Sequence, residues 1–129
     1  MKKIIIFLIT LIVVLAVYYF YPQKKLDASR QINKILVLKS KRKLLVLSGD
    51  EVLKEYTIAL GRNPIGAKHF EGDYKTPEGI YEINSKNPTS GYYLNLGISY
   101  PSEKDIDYAK MYGKRTGGDI KIHGLKLEC

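Results

Sequence analysis

Ile4 to Tyr21 is an unbroken apolar run with no charged side chain, set in a chain of only 129 residues. As a helix it would extend ~27 Å at about 1.5 Å per residue, near the lower limit for crossing a bilayer. Lys2 and Lys3 precede it, and Tyr18, Tyr19, Phe20 and Tyr21 crowd its far end like an interfacial aromatic belt. Two other readings stay open. A cleaved signal peptide could use Val14-Leu15-Ala16, although the bulky aromatics that follow disfavour processing, and a buried helix of a water-soluble fold is the third choice. The expected organisation is a membrane anchor or signal segment over 1–21, a polar linker over 22–33 and one domain over 34–129.

Orientation is contested by basic residues on both sides. Lys24, Lys25, Arg30 and Lys34 follow the run, but an apolar segment at the chain start with a folded domain behind it favours an inside amino terminus. The domain is then expected outside the membrane on a single span, or secreted if residues 1–16 are cleaved. A single cysteine rules out an intrachain disulfide framework within these residues. The formal charge is +8, densest at Lys39, Lys41, Arg42 and Lys43. A solvent-facing strand end and turn explains that cluster. No zinc-finger spacing, phosphate loop or single-strand-binding motif accompanies it, so a nucleic-acid partner is not expected.

Beyond the linker the periodicity is that of strands. Ile35–Leu38, Lys43–Leu47 and Val52–Leu60 are rich in β-formers and separated by turn-sized intervals, Ser48-Gly49-Asp50 among them, which predicts an antiparallel meander. All 11 glycines lie from Gly49 onward, so the second half needs many turns. Thr76-Pro77-Glu78-Gly79 reads as a turn leading directly into a strand at Ile80–Ile83. Tyr92–Leu96 and Ile120–Ile122 read as further strands, and Glu103–Met111 as the one helix of the domain. The fold is expected to be mainly β.

Gly72-Asp73-Tyr74-Lys75-Thr76-Pro77-Glu78-Gly79-Ile80-Tyr81, with Ile122-His123-Gly124 downstream, resembles the L,D-transpeptidase catalytic domain of bacterial cell-wall enzymes. Similarity begins near Ile35 and runs to about Leu125, and Leu94 to Pro101 resembles a segment crossing the middle of that domain. The resemblance implies a β-sandwich-like fold at the bacterial cell membrane, with cysteine acyl-transfer chemistry on peptidoglycan stem peptides and no cofactor. It places His123 on the family's catalytic histidine, as proposed base, and makes Gly72, Asp73, Thr76, Pro77, Gly79 and Gly124 structural or substrate-proximal. It calls for a nucleophile more than a dozen residues later, within a Ser/Thr-x-Gly-Cys sequence. Leu125-Lys126-Leu127-Glu128-Cys129 does not match that sequence. Such a departure fits a truncated gene product, a frameshift near the end or an incomplete sequence, and predicts an incompletely covered core around Ile120, Ile122 and Leu125.

Chemistry raises the same difficulty. A cysteine nucleophile needs its base within roughly 2.6–3.2 Å. Cys129 is six residues past His123, up to about 20 Å away if extended. Glu128 beside it also disfavours a thiolate. Cys129 is therefore a weak nucleophile candidate, and this 129-residue chain is expected to be inactive. The alternative function is a noncatalytic cell-wall-binding or accessory domain. From position alone, His123 could be a half-buried imidazole bonded to a neighbouring strand. His69, on a loop, does not complete a metal set with it. Lys68 and Lys75 are expected on a solvated loop, Asp73 and Thr76 in local turn hydrogen bonds, and Tyr92 and Tyr93 on opposite faces of a strand, one against the core.

Overall fold

A computed structural model describes residues 1–22 and 25–125. The first helix, α1 (Lys2–Phe20), has a mean hydropathy of 2.6 and is exposed along its whole length, as a helix long and apolar enough to cross a membrane. It carries no side-chain cap, no acidic residue in its first turn and no basic residue in its last, so apolar composition alone marks it.

The chain divides into two compact units. The first joins Met1–Leu38 to Lys43–Thr57, and the second joins Lys39–Arg42 to the chain from Ile58 onward. In the first unit β1 (Lys34–Leu38), β2 (Lys43–Ser48) and β3 (Glu51–Thr57) form an antiparallel sheet in the order β1-β2-β3. The predicted meander is present. A bulge between Val46 and Leu47 breaks the strict alternation of β2, so Leu44, Val46 and Leu47 are all buried. Lys39–Lys41 form a short 3-10 turn between β1 and β2.

The second unit holds β4 (Ile83–Ser90), β5 (Tyr93–Ile98) and β6 (Lys121–His123), antiparallel in the order β4-β5-β6, and the helix α2 (Glu103–Met111). Ser102 caps α2 in a reciprocal box, its hydroxyl accepting from Asp105 N–H at 3.4 Å while the Asp105 carboxylate accepts from Ser102 N–H at 2.8 Å. Tyr100 and Ala109 are the buried apolar residues of this unit among those described.

The architecture is mixed α/β, with two antiparallel sheets and an amino-terminal apolar helix long enough to cross a membrane. One strand is displaced. Ile80–Glu82 is irregular: Gly79 has φ 150°, and Glu82 N–H donates to the Ser99 side-chain Oγ at 2.9 Å in place of a backbone carbonyl, while the Glu82 carbonyl accepts from Ser99 N–H. Ile80 is left fully exposed and pairing with β5 begins at Ile83. The polar Asn84–Ser90 stretch reads poorly as a strand from propensity, but it is an edge with an irregular register, where Pro88 is tolerated.

Candidate active site

Two clusters of the second unit contain the motif residues. In the first, Gly72 (φ 80°) and Tyr74 (φ 56°) turn the backbone around the carboxylate of Asp73. That carboxylate accepts from the backbone N–H of His69 at 2.8 Å, Phe70 at 2.9 Å and Lys75 at 3.1 Å, and from Lys68 Nζ at 3.0 Å. Lys68 is not on a solvated face as expected. It is only 7% exposed, donates also to the Phe70 carbonyl at 2.8 Å, and lies 6.0 Å from the Tyr100 ring centroid. Burial alone would raise the Asp73 carboxyl, but hydrogen bonds from Phe70, His69, Lys68 and Lys75 overcome it and hold the group well below the ordinary carboxylate range.

Thr76 reaches further than a local turn bond. Its hydroxyl accepts from Gly61 N–H at 3.1 Å, across 15 residues. Its carbonyl accepts from Lys39 Nζ at 2.9 Å, and the same ammonium donates to the Gly66 carbonyl at 2.7 Å and Glu78 Oε1 at 2.8 Å. The hydrogen bond and charge of Lys39 hold the Glu78 carboxyl below its usual value. Pro77 is half-buried between these contacts. At Gly79 a Cβ would lie 3.1–3.3 Å from the Tyr81 ring, so a side chain there would displace it. Tyr81 Oη donates to Asp105 Oδ2 at 3.2 Å. Burial, then the Asp105 charge, pushes both Tyr81 and Tyr100 up to about 12.

The second cluster lies at the end of β6. His123 pairs with Asn95 of β5 and is exposed, not half-buried. Its Nδ1 lies 2.7 Å from the Gly124 carbonyl. A carbonyl only accepts, so this contact is a hydrogen bond in the tautomer that carries its proton on Nδ1, and in that neutral tautomer Nε2 has the lone pair. The Tyr92 ring stands 5.1 Å from the imidazole at 59°. Gly124 N–H donates to the Leu94 carbonyl at 3.3 Å, and a Cβ on Gly124 would meet the Tyr92 carbonyl and Tyr93 Cβ at 3.1 Å each. A side chain there would need the Tyr92–Tyr93 backbone to give by a few tenths of an ångström.

Among the described residues no hydrogen bond, ion pair or ring contact joins the Asp73 loop to His123. Cys129 lies outside the described residues. Tyr92 and Tyr93 do not split between core and solvent. Tyr92 precedes β5 and Tyr93 has φ 65°, which breaks the alternation and leaves both exposed. Ile120 and Ile122 are half-buried and Leu125 is 90% exposed. The sequence pattern does not single out Asn95, buried opposite His123, and it set Lys68 on a solvated loop although the five-residue spacing from Asp73 was the available signal for an internal ion pair.

The L,D-transpeptidase catalytic domain family, YkuD, matches residues 32–128. YafK of Escherichia coli (strain K12), itself a candidate L,D-transpeptidase, is 33% identical over 76 residues, covering 57% of this chain and 29% of the relative. YafK of Escherichia coli O157:H7 matches to the same extent. The chain thus aligns with less than a third of the length of these curated relatives. No solved structure matches significantly.

Proposed function

The chain belongs to the L,D-transpeptidase catalytic-domain family, and on that premise we propose that its chemistry is cysteine acyl transfer on peptidoglycan stem peptides. The observation that carries this reading is the imidazole of His123 at the end of β6, with Nδ1 engaged by the Gly124 carbonyl and Nε2 available as an acceptor. In this role Nε2 takes the proton of a cysteine thiol, the thiolate attacks a stem-peptide carbonyl, and the terminal D-residue leaves with a proton returned by the imidazolium. An acceptor amine then attacks the thioester and frees the cysteine. The Asp73 and Lys39 clusters act as scaffold, since their polar atoms are spent on one another.

The apolar helix α1 supports anchorage in the bacterial cell membrane by a single span, with the domain outside the cytoplasm. Fractionation with and without residues 1–21 tests this. Full-length chain recovered wholly in the soluble fraction with an intact amino terminus defeats the anchor.

The 129-residue polypeptide is proposed to have little transferase activity, because its one cysteine stands outside a Ser/Thr-x-Gly-Cys sequence. Incubation with a stem peptide followed by intact mass measurement decides. Absence of an adduct is the expected result, and retention on peptidoglycan without one would favour an accessory role. A thioester adduct that disappears in Cys129→Ser overturns the inactivity proposal and supplies the nucleophile.

A further inference from the structure

We propose that Tyr92 is a positioning residue for His123, holding the imidazole in the tautomer that leaves Nε2 free to accept a proton. This deepens the reading of His123 as the base and rests on it. The useful tautomer depends on one bond, from Nδ1 to the Gly124 carbonyl at 2.7 Å. Rotating the imidazole by half a turn about its stem would put a carbon where Nδ1 now stands and lose that bond. His123 is exposed at a strand end, so the sheet itself does little to prevent the rotation.

The connection between β4 and β5 supplies the restraint. Tyr92 N–H donates to Ser90 Oγ at 3.1 Å, fixing the approach of the turn. Tyr93 then adopts φ 65°, a left-handed conformation disfavoured for a bulky residue and tolerated where surrounding contacts demand it. The result brings the Tyr92 carbonyl and Tyr93 Cβ against Gly124, while the Tyr92 ring stands 5.1 Å from the imidazole. Gly124 N–H is tied to Leu94 on the same strand. The turn therefore packs against both the ring and Gly124, the residue whose carbonyl faces Nδ1. A tilted aromatic contact of this kind is favourable beyond the area it covers, and Tyr92, 49% exposed, is not part of the buried core.

The test is nitrogen NMR of the full chain in detergent micelles with labelled histidine, at a pH where the rings are neutral. Only His69 and His123 contribute, and His123→Gln assigns the signals. The wild-type chain is expected to show His123 protonated mainly at Nδ1. Tyr92→Ala is expected to lower the ratio of the Nδ1–H to the Nε2–H form by about fivefold, the scale of one net hydrogen bond. Tyr92→Phe should retain the wild-type ratio, because the ring and not the hydroxyl makes the contact. Gly124→Ala should reproduce the alanine result by pushing the turn away. An unchanged ratio in Tyr92→Ala overturns the proposal, and so does a Tyr92→Phe that behaves like alanine. If Gly124→Ala does not fold, the two exposed-ring variants still decide. No cysteine acylation enters the measurement, so this proposal can fail while the catalytic reading stands, and the reverse.

Discussion

The Asp73 loop and the His123 strand end are both motif regions, yet they are built on opposite principles. Asp73 and Lys68 are largely withdrawn from water and bonded to one another and to three backbone N–H groups. His123 is exposed, with a single side-chain hydrogen bond, to its neighbour, and one flanking ring among the described residues. A polar group spent on internal partners has nothing left for a substrate, whereas an imidazole with one nitrogen engaged has the other to use. Motif status therefore does not equate with chemistry. Most of the Gly72–Gly79 run organises backbone, and the proposed base stands where the scaffold is thin.

The largest expected effect lies in the Asp73 loop. Asp73→Ala leaves Lys68 with only the Phe70 carbonyl and strands three backbone donors, a loss of about 3 kcal/mol on the scale of a broken buried ion pair. Urea unfolding of the detergent-solubilised chain reads it. A loss below about 1 kcal/mol, the range of exposed pairs, would erase the contrast between the two regions. Thr76→Val comes next, at about 1.5 kcal/mol, since Gly61 N–H loses its acceptor. If that variant is neutral, the hydroxyl is dispensable to the scaffold and is free for another role.

A pH series sharpens the same point. The folded carboxyl of Asp73 is held below its ordinary value, so its contribution is complete above the unfolded pKa of about 3.9 and erodes as pH falls toward the folded value. In that window the unfolded chain binds more protons, and stability rises with pH. Between about pH 5 and about pH 3 the wild-type chain should lose on the order of 1 kcal/mol that Asp73→Asn does not. Equal slopes for the two chains would mean the carboxylate is not specially stabilised.

What could be read from the sequence divides along physical lines. Apolar periodicity located the first sheet, and a capping serine with acidic residues in the next turn explains why α2 occupies the expected residues. Lys68 was misplaced because a lysine among polar neighbours reads as solvated, and only folding brings its partner and the Tyr100 ring around it. Asn84–Ser90 was missed because it becomes a strand through pairing and not through propensity. His123 was singled out through the family motif, but the ring of Tyr92 beside it is placed by a turn whose left-handed Tyr93 no pattern announces. The first sheet follows from local preferences, while the site depends on contacts between distant segments.

The smallest expected effect is at His123 itself. His123→Ala removes an exposed ring, one hydrogen bond to the adjacent residue and one tilted contact with Tyr92. Surface changes of this kind fall within about 0.5 kcal/mol, and the variant should unfold at nearly the wild-type urea midpoint. A residue kept for its chemistry has that signature, because its useful interaction is made with another molecule and not with the fold. If His123→Ala instead costs as much as Thr76→Val, the imidazole is holding the β5–β6 pair together. The strand-end base would then be a structural histidine, and the division between scaffold and site would have to be drawn elsewhere in the second unit.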